Sequence, residues 1–203
     1  MEFLDAKAIA QLTSGDVFFL SGIPLAILSD TAREECFDML RVLKAAGVKI
    51  VFDPNYRPTL WSSEQCARDS YSTAMSLADI ALPGVEDFTA LFGIQHAKDV
   101  VTFCADRGVA ETVVKNGPES VFTCLNGDIQ EHRITPVKNV VDTTSAGDAF
   151  NGVYLGARLF GHTIAESVQQ GTTAAGVVIQ FPGAIAPQQA FASSLAGRSV
   201  FSA

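Results

Sequence analysis

Short apolar runs alternate with amphipathic stretches along the first half of the chain. The runs are typical of buried strands, because they are continuous and bounded by turn residues, and they occupy residues 17–20, 48–52, 79–82 and 112–115. Between them, apolar residues recur at helical spacing, over residues 29–46, 64–77, 87–92 and 98–107. Strands that alternate with helices in this way predict an α/β fold with a mainly parallel sheet flanked by helices.

The pattern changes after residue 115, where two turn signals follow one another. Asn116-Gly117 and Asn126-Gly127 are each typical of a tight turn between antiparallel strands. They predict an antiparallel meander at the sheet edge, with strands near 111–115, 120–125 and 129–134. Helical periodicity returns over about 148–160 and 164–181. Ligands of such sheets bind beyond the carboxyl ends of the strands, so the loops there are the candidates for chemistry.

Composition and charge narrow the class of protein. The chain has 203 residues, of which 48% are apolar and 18% are charged. This length and this share of apolar residues are enough to form one domain with a buried hydrophobic core. The net charge of −8 argues against nucleic acid and against an anionic membrane as partners. No signal-peptide pattern and no membrane-spanning apolar stretch are visible, so we expect a cytoplasmic protein. The four cysteines form no CxxC pair, which argues against a zinc or redox motif.

The candidate chemistry lies in residues 142–150, which read DTTSAGDAF. Ser145, Ala146 and Gly147 are small enough for the backbone to approach a ligand closely, and a helix is predicted to begin near Asp148. The free N–H groups and the dipole of a helix N-terminus suit a phosphoryl group whose charge grows during transfer. Asp148 would lie at the rim of that site and could accept a proton from a substrate hydroxyl. A simple helix cap explains a lone Asp, but capping does not require three small residues before it.

This nonapeptide resembles the C-terminal signature of the PfkB/ribokinase carbohydrate kinases, commonly DTTGAGDAF. Three further segments support the resemblance, and they read LSGIPLAILS at 20–29, FDPNYRPTLW at 52–61 and VIQFPGA at 178–184. The NYRPxLW pattern resembles family members that act on the sugar acid 2-keto-3-deoxygluconate. The resemblance extends over residues 15–187 and implies a ribokinase-like fold.

The resemblance also implies roles for individual residues. Asp148 matches the catalytic base, and Ser145, Ala146 and Gly147 match the anion hole. Ser145 replaces the more usual Gly, which costs strain if this position requires a positive φ. The residues that match the family's nucleotide-binding regions are Lys115, Asn116, Gly117, Pro118, Glu119, Ser120 and Thr172. From the residues alone, a simple hairpin turn is the favoured explanation of the Asn-Gly pair, and the resemblance reverses that preference.

The predicted substrate-binding residues are Asn55 and Arg57, together with Asp148. A guanidinium just past the strand at 48–52 can hold the carboxylate of a sugar acid with two parallel hydrogen bonds, whereas the residues alone fit a surface Arg in a Pro-bounded loop equally well. The family often carries an Asn-x-x-Glu motif near magnesium. In this sequence Gly84 stands where Asn is usual, and Asp87 stands where Glu is usual. We therefore name no metal ligand and expect Mg²⁺ to arrive with ATP.

Family members normally begin with strands that supply a Gly-Gly substrate-binding segment and a β-sheet lid, and neither occurs in this sequence. We therefore expect residues 1–203 to form the C-terminal two-thirds of a ribokinase-like kinase domain. The implied function is ATP-dependent phosphorylation of a sugar acid, with 2-keto-3-deoxygluconate and its 6-phosphate as substrate and product. The alternatives are a kinase for a neutral sugar such as fructose or ribose, and an inactive nucleotide-binding fragment. Family members often pair through their lids, so a homo-oligomer is expected for the full-length form.

Overall fold

The computed structural model describes residues 6–195. Helices separate the first four strands, and two further strands and three helices follow. The strands β1 to β6 occupy Val17–Ser21, Lys49–Asp53, Ile80–Ala81, Glu111–Asn116, Ser120–Leu125 and Asp128–Arg133. The helices α1 to α9 occupy Ala6–Leu12, Gly22–Ile27, Asp30–Ala45, Glu64–Leu77, Val85–Phe92, Ala97–Ala105, Ala146–Leu159, Ile164–Val178 and Gln188–Leu195. Within these residues the strands form one sheet in the order β1-β2-β3-β4-β5-β6.

The first four strands are parallel, as the alternation of strands and helices predicts. Val17 of β1 pairs with Lys49 of β2, while Ile80 of β3 pairs with Val51 on one side and Glu111 on the other. Every residue of β2 after Lys49 is buried, as expected of a strand with helices on both faces of its sheet. Because the strands run in one direction, the carboxyl ends of β1 to β4 meet at the same edge of the sheet.

The last two strands form the predicted antiparallel meander. β4 ends at Asn116 and β5 begins at Ser120, a connection too short for the crossover that parallel neighbours require. Asn126 and Gly127 alone join β5 to β6, with φ angles of 50° and 91°. A two-residue turn with both φ angles positive is the hairpin type whose twist matches that of the strands.

The described residues fall into two compact units. The first contains the residues up to Gly117 together with Phe122–Gln130, and the second contains Pro118–Val121 and the residues from Glu131 onward. The core of the first unit includes Phe37, Leu40, Leu43, Ile50, Phe52, Tyr71, Met75 and Phe88. In the second unit Val177, Val178 and Ala186 form a smaller cluster. No helix described between residues 6 and 195 is long and apolar enough to cross a membrane.

Some element bounds differ from the sequence predictions. Helix α7 begins at Ala146 rather than near 148, and α8 ends at Val178 rather than near 181. The short helix α2 was not predicted, because Pro24 reads as a break in the sequence. Here Pro24 lies in the first turn of the helix, where the missing N–H of a proline would have no intrahelical partner in any case.

Candidate active site

The loop after β2 carries the two residues predicted to bind the substrate. Asn55 has a left-handed backbone with φ of 40°, and its Nδ2 donates a hydrogen bond to Ser21 Oγ at 3.4 Å. This bond joins the carboxyl ends of β1 and β2. Arg57 is exposed, and its Nη1 donates to the backbone oxygen of Tyr56 at 2.9 Å.

An aromatic cluster below this loop fixes its backbone. The hydroxyl of Tyr71, in α4, donates to the backbone oxygen of Pro54 at 2.6 Å. The ring of Tyr71 also makes edge-on contacts with the rings of Phe52, Tyr56 and Trp61, at centroid distances of 5.5, 6.1 and 5.4 Å. Edge-on aromatic pairs add to the stability that burial provides. The loop that carries Arg57 therefore packs against a well-fixed aromatic cluster.

Charged side chains from three elements converge at this edge of the sheet. Lys115, near the end of β4, places its Nζ 3.3 Å from Oδ1 of Asp53, the last residue of β2. Asp87, in the first turn of α5, has its pKa raised from the ordinary 3.8 to about 6, chiefly by burial and next by the charge of Asp53. Lys115 and Arg57 act on the pKa of Asp87 in the opposite direction. The structure therefore brings the predicted substrate residue Arg57 and the predicted nucleotide residue Lys115 into one electrostatic cluster.

Asp87→Asn should change how stability depends on pH. Because the pKa of Asp87 is raised on folding, its contribution to the free energy of unfolding is fully present below about pH 4 and is lost as pH rises through 6. We expect Asp87→Asn to gain up to about 3 kcal/mol over the native protein between pH 4 and pH 7.5, since one pKa unit corresponds to about 1.4 kcal/mol. Urea unfolding at both pH values measures this difference.

Glu86→Gln is the matched control for that experiment. Glu86 is exposed in the same helical turn, so its substitution removes one negative charge without removing a partly buried carboxylate. An Asp87→Asn effect that stays the same at both pH values, or that Glu86→Gln reproduces, would contradict the burial of this carboxylate as the cause.

The predicted nucleotide-binding turn lies between β4 and β5. Lys115 and Asn116 end β4, Gly117 has a φ of 56°, and Pro118 and Glu119 are exposed. Ser120, at the start of β5, is 2% exposed. The turn joins antiparallel strands, so the hairpin explanation of the Asn-Gly pair describes its geometry, while its role in nucleotide binding stays a prediction.

The predicted anion hole lies at the start of α7. Ser145 is the N-cap residue and has a left-handed backbone with φ of 59° and ψ of 12°. This is the strained conformation that the replacement of Gly by Ser implied. Ala146 and Gly147 open the helix, and Asp148 is exposed in its first turn. The N–H groups of a first helical turn lack intrahelical partners and point along the axis, so they can meet an anion.

Asp142 fixes the loop that leads into this helix. Its Oδ1 accepts a hydrogen bond from the backbone N–H of Thr144, and its Oδ2 accepts one from the backbone N–H of Gly183, both at 2.9 Å. Hydrogen bonds lower the pKa of the Asp142 carboxyl. Those from Thr144 have the largest effect, and the bond from the Gly183 backbone has a smaller one. The VIQFPGA segment, which the sequence marked without a role, is therefore linked to the DTTSAGD segment.

Thr172, the last predicted nucleotide residue, lies in α8. Its Oγ1 donates to the backbone oxygen of Gln169 at 2.9 Å, and the residue is partly exposed. The neighbouring Gly171 packs against Phe150 of α7 so closely that a Cβ would lie 2.9 Å from the ring. This contact holds the middle of α8 against the first two turns of α7, and the role of Thr172 stays a prediction.

Comparison with known proteins tests the resemblance. The model of the pfkB family carbohydrate kinases matches residues 2–190. The chain belongs to this family. It is 40% identical over 189 residues to 2-dehydro-3-deoxygluconokinase of Escherichia coli strain K12, an alignment that covers 91% of this chain and 61% of the relative.

Solved structures of a PfkB protein and of a fructokinase share the fold. A PfkB protein from Polaromonas sp. JS666 matches with a TM-score of 0.79 and 28% identity over 95% of this chain and 60% of the other. A fructokinase from Vibrio cholerae O395, solved with fructose, ADP and calcium, matches with a TM-score of 0.78 and 25% identity over 89% of this chain and 61% of the other. The family and the ribokinase-like fold are thus confirmed, and the chain spans about three fifths of the length of these proteins.

Proposed function

We propose that this chain carries the nucleotide-handling and catalytic part of an ATP-dependent kinase for the sugar acid 2-keto-3-deoxygluconate, with the 6-phosphate as product. The helix N-terminus at residues 145–148 carries the proposal, because the amides of Gly147 and Asp148, which have no intrahelical partner, lie beside the exposed carboxylate of Asp148. The amide of Ala146 also donates to the backbone oxygen of Thr143, at 3.2 Å. The 40% identity to 2-dehydro-3-deoxygluconokinase, an enzyme named after the same sugar acid, supports the choice of substrate. Residues 1–203 would then be the C-terminal two-thirds of the kinase domain.

The proposed reaction is an in-line transfer of the terminal phosphoryl group of ATP. Asp148 accepts the proton of the attacking hydroxyl while the hydroxyl oxygen bonds to the γ-phosphorus, and the bond from that phosphorus to the bridging oxygen of ADP breaks. Amide groups at Ser145, Ala146 and Gly147 stabilise the charge on the transferred group. Such donors are fixed before the reaction and need no reorganisation during it, which is why a helix N-terminus suits this role.

The remaining predicted residues are assigned to binding. Arg57, supported by Asn55, orients the carboxylate of the sugar acid, and Lys115 meets the phosphate groups of the nucleotide. Thr172 lies toward the adenine. Magnesium would arrive with ATP and neutralise phosphate charge, because Mg²⁺ in such sites is bound largely by substrate phosphates. The proposal assigns no protein ligand to the metal, because Gly84 and Asp87 stand where the family's motif usually has Asn and Glu.

A direct assay tests the proposal. The purified chain is incubated with ATP, Mg²⁺ and 2-keto-3-deoxygluconate, and phosphorus NMR follows the formation of ADP and a sugar phosphate. Formation of the 6-phosphate supports the proposal, and transfer only to fructose or ribose would favour a neutral-sugar kinase. Nucleotide binding without transfer to any sugar would favour the inactive fragment.

Arg57→Ala separates the sugar acid from a neutral sugar. A guanidinium that holds a carboxylate contributes a charge-assisted, bidentate contact, so we expect kcat/KM for 2-keto-3-deoxygluconate to fall by about 100-fold. For fructose the loss should stay within about threefold, since no carboxylate is present. Arg41→Ala is the control, because Arg41 is half exposed on α3 and pairs with the more exposed Asp38 in its own helix. Equal losses on both sugars would count against the sugar acid as substrate.

A further inference from the structure

The ion pair between Asp53 and Lys115 joins the ends of two strands that are not neighbours in the sheet. Its Nζ to Oδ1 distance is 3.3 Å, and the two residues are 62 positions apart in the chain. The side chain of Asp53 is 5% exposed and that of Lys115 is 20% exposed. A lysine and a carboxylate this far from solvent occupy defined positions, unlike the usual surface pair.

The position of Lys115 is fixed at both ends of its side chain. At the backbone, its N–H donates to the oxygen of Pro83 at 2.8 Å, and the residue bridges to Gly84 just beyond the end of β3. At the tip, the ammonium meets Asp53 of β2. Because β3 lies between β2 and β4 and adjacent strands are about 4.8 Å apart, the side chain must extend across the end of β3 to make this contact.

We propose that Asp53 is a positioning residue for nucleotide binding: its buried carboxylate holds the ammonium of Lys115 at the carboxyl edge of the sheet, ready to meet the phosphate groups of the nucleotide. This inference rests on the proposed function and deepens it. Lys115 directly precedes Asn116 and Gly117, the start of the proposed nucleotide turn, so an ammonium fixed here lies beside the backbone that would approach the ligand. Asp53 itself touches no substrate in this proposal.

Stability alone is a weak explanation of this pair. Removing two charges from water costs about as much as their attraction returns, so a buried ion pair is poor evidence for a stabilising role. The neighbouring charged groups lie at the same carboxyl edge of the sheet, since Asp53, Lys115 and Arg57 all shift the pKa of Asp87. Holding a flexible lysine in place before the ligand arrives removes the loss of side-chain freedom from the binding step.

ADP affinity, measured by isothermal titration calorimetry in EDTA, tests the proposal. EDTA removes divalent metal, so any effect of Asp53 cannot arise through a metal ion. We expect Lys115→Met to weaken ADP binding by about 10- to 100-fold, as for the loss of one charge-assisted hydrogen bond. Asp53→Asn should weaken it by about 3- to 10-fold, and it should have no further effect in the Lys115→Met background, since the two residues act as one unit.

The direction in which Asp53→Asn changes ADP affinity distinguishes a positioning role from a purely electrostatic role of the carboxylate. Asp53→Asn removes a negative charge near a negatively charged ligand, so a purely electrostatic role predicts tighter ADP binding, and that result would overturn the proposal. An unchanged affinity, or a loss that occurs only when Mg²⁺ is added, would overturn it as well. If Asp53→Asn does not fold, Asp53→Glu keeps the net charge but moves the carboxylate, and ADP affinity should again fall. An unchanged affinity in Asp53→Glu would equally overturn the proposal.

Lys44→Met is the matched control. Lys44 also pairs with an aspartate from another element, with its Nζ 2.7 Å from Oδ1 of Asp79, but Asp79 directly precedes β3 and so lies at the amino edge of the sheet. Lys44→Met should leave ADP affinity within about twofold. A loss equal to that of Lys115→Met would overturn the proposal.

If the native chain fails to bind ADP at all, the proposed function and this inference both fall, whereas the other contrary outcomes overturn the inference alone.

Discussion

Asp148→Asn is expected to slow phosphoryl transfer by about 10²- to 10⁴-fold, which is the usual contribution of a positioned general base. Asparagine has nearly the same shape and remains compatible with the first turn of a helix, but it cannot accept the proton of the attacking hydroxyl. ADP affinity should stay within about twofold, because the amides of the helix N-terminus are unchanged. The rate is measured by single-turnover transfer from ATP, and the affinity by calorimetry.

Glu86→Gln controls for the Asp148→Asn experiment. Glu86 is also an exposed carboxylate in the first turn of a helix, so its substitution removes the same charge from a comparable position without touching the proposed reacting group. Its transfer rate should equal that of the native chain. Near-native transfer in Asp148→Asn would refute the base assignment, and a matched loss in both variants would point to net charge as the cause.

The sequence predicted the parallel half of the sheet because its signals are local. The strand at 48–52 is a continuous apolar run, and a strand buried on both faces has that pattern. The hairpin at Asn126 and Gly127 was equally visible, since two consecutive positive φ angles require residues of this kind. The bounds of α7 and α8 were less accurate, because helix ends depend on capping contacts that a periodic pattern does not contain.

The charged cluster at the sheet edge could not be predicted from sequence. Asp53 was not among the predicted site residues, and its partner Lys115 lies 62 residues later and reaches it across an intervening strand. The link from Asp142 to Gly183 spans 41 residues in the same way. Such pairs depend on the register of the sheet and the packing of α8, and neither can be read from a local pattern. The resemblance marked the segments, and the structure supplied the contacts between them.

Gly22→Ala is expected to destabilise the first unit by more than about 3 kcal/mol, because the added methyl group has no space. A Cβ on Gly22 would lie 1.9 Å from the backbone oxygen of Pro54 and 2.5 Å from the hydroxyl of Tyr71. Neither atom can move independently, since the Tyr71 hydroxyl donates to that same oxygen. The clash therefore reaches the loop that carries Asn55 and Arg57, and it should lower affinity for the sugar acid as well as stability.

The fluorescence of the single tryptophan reports this loss directly. Trp61 packs edge-on against Tyr71, so its urea-unfolding curve follows the region where Gly22 and Pro54 meet. The control is Gly152→Ala in α7 of the second unit, where a Cβ would meet nothing within 4 Å, so the Trp61 unfolding curve should not move to lower urea concentration. Equal stabilities for Gly22→Ala and the native chain would mean that the loop after β2 is free to move away from β1. A loop that moves so freely could not hold Asn55 and Arg57 in the positions that the proposed site requires.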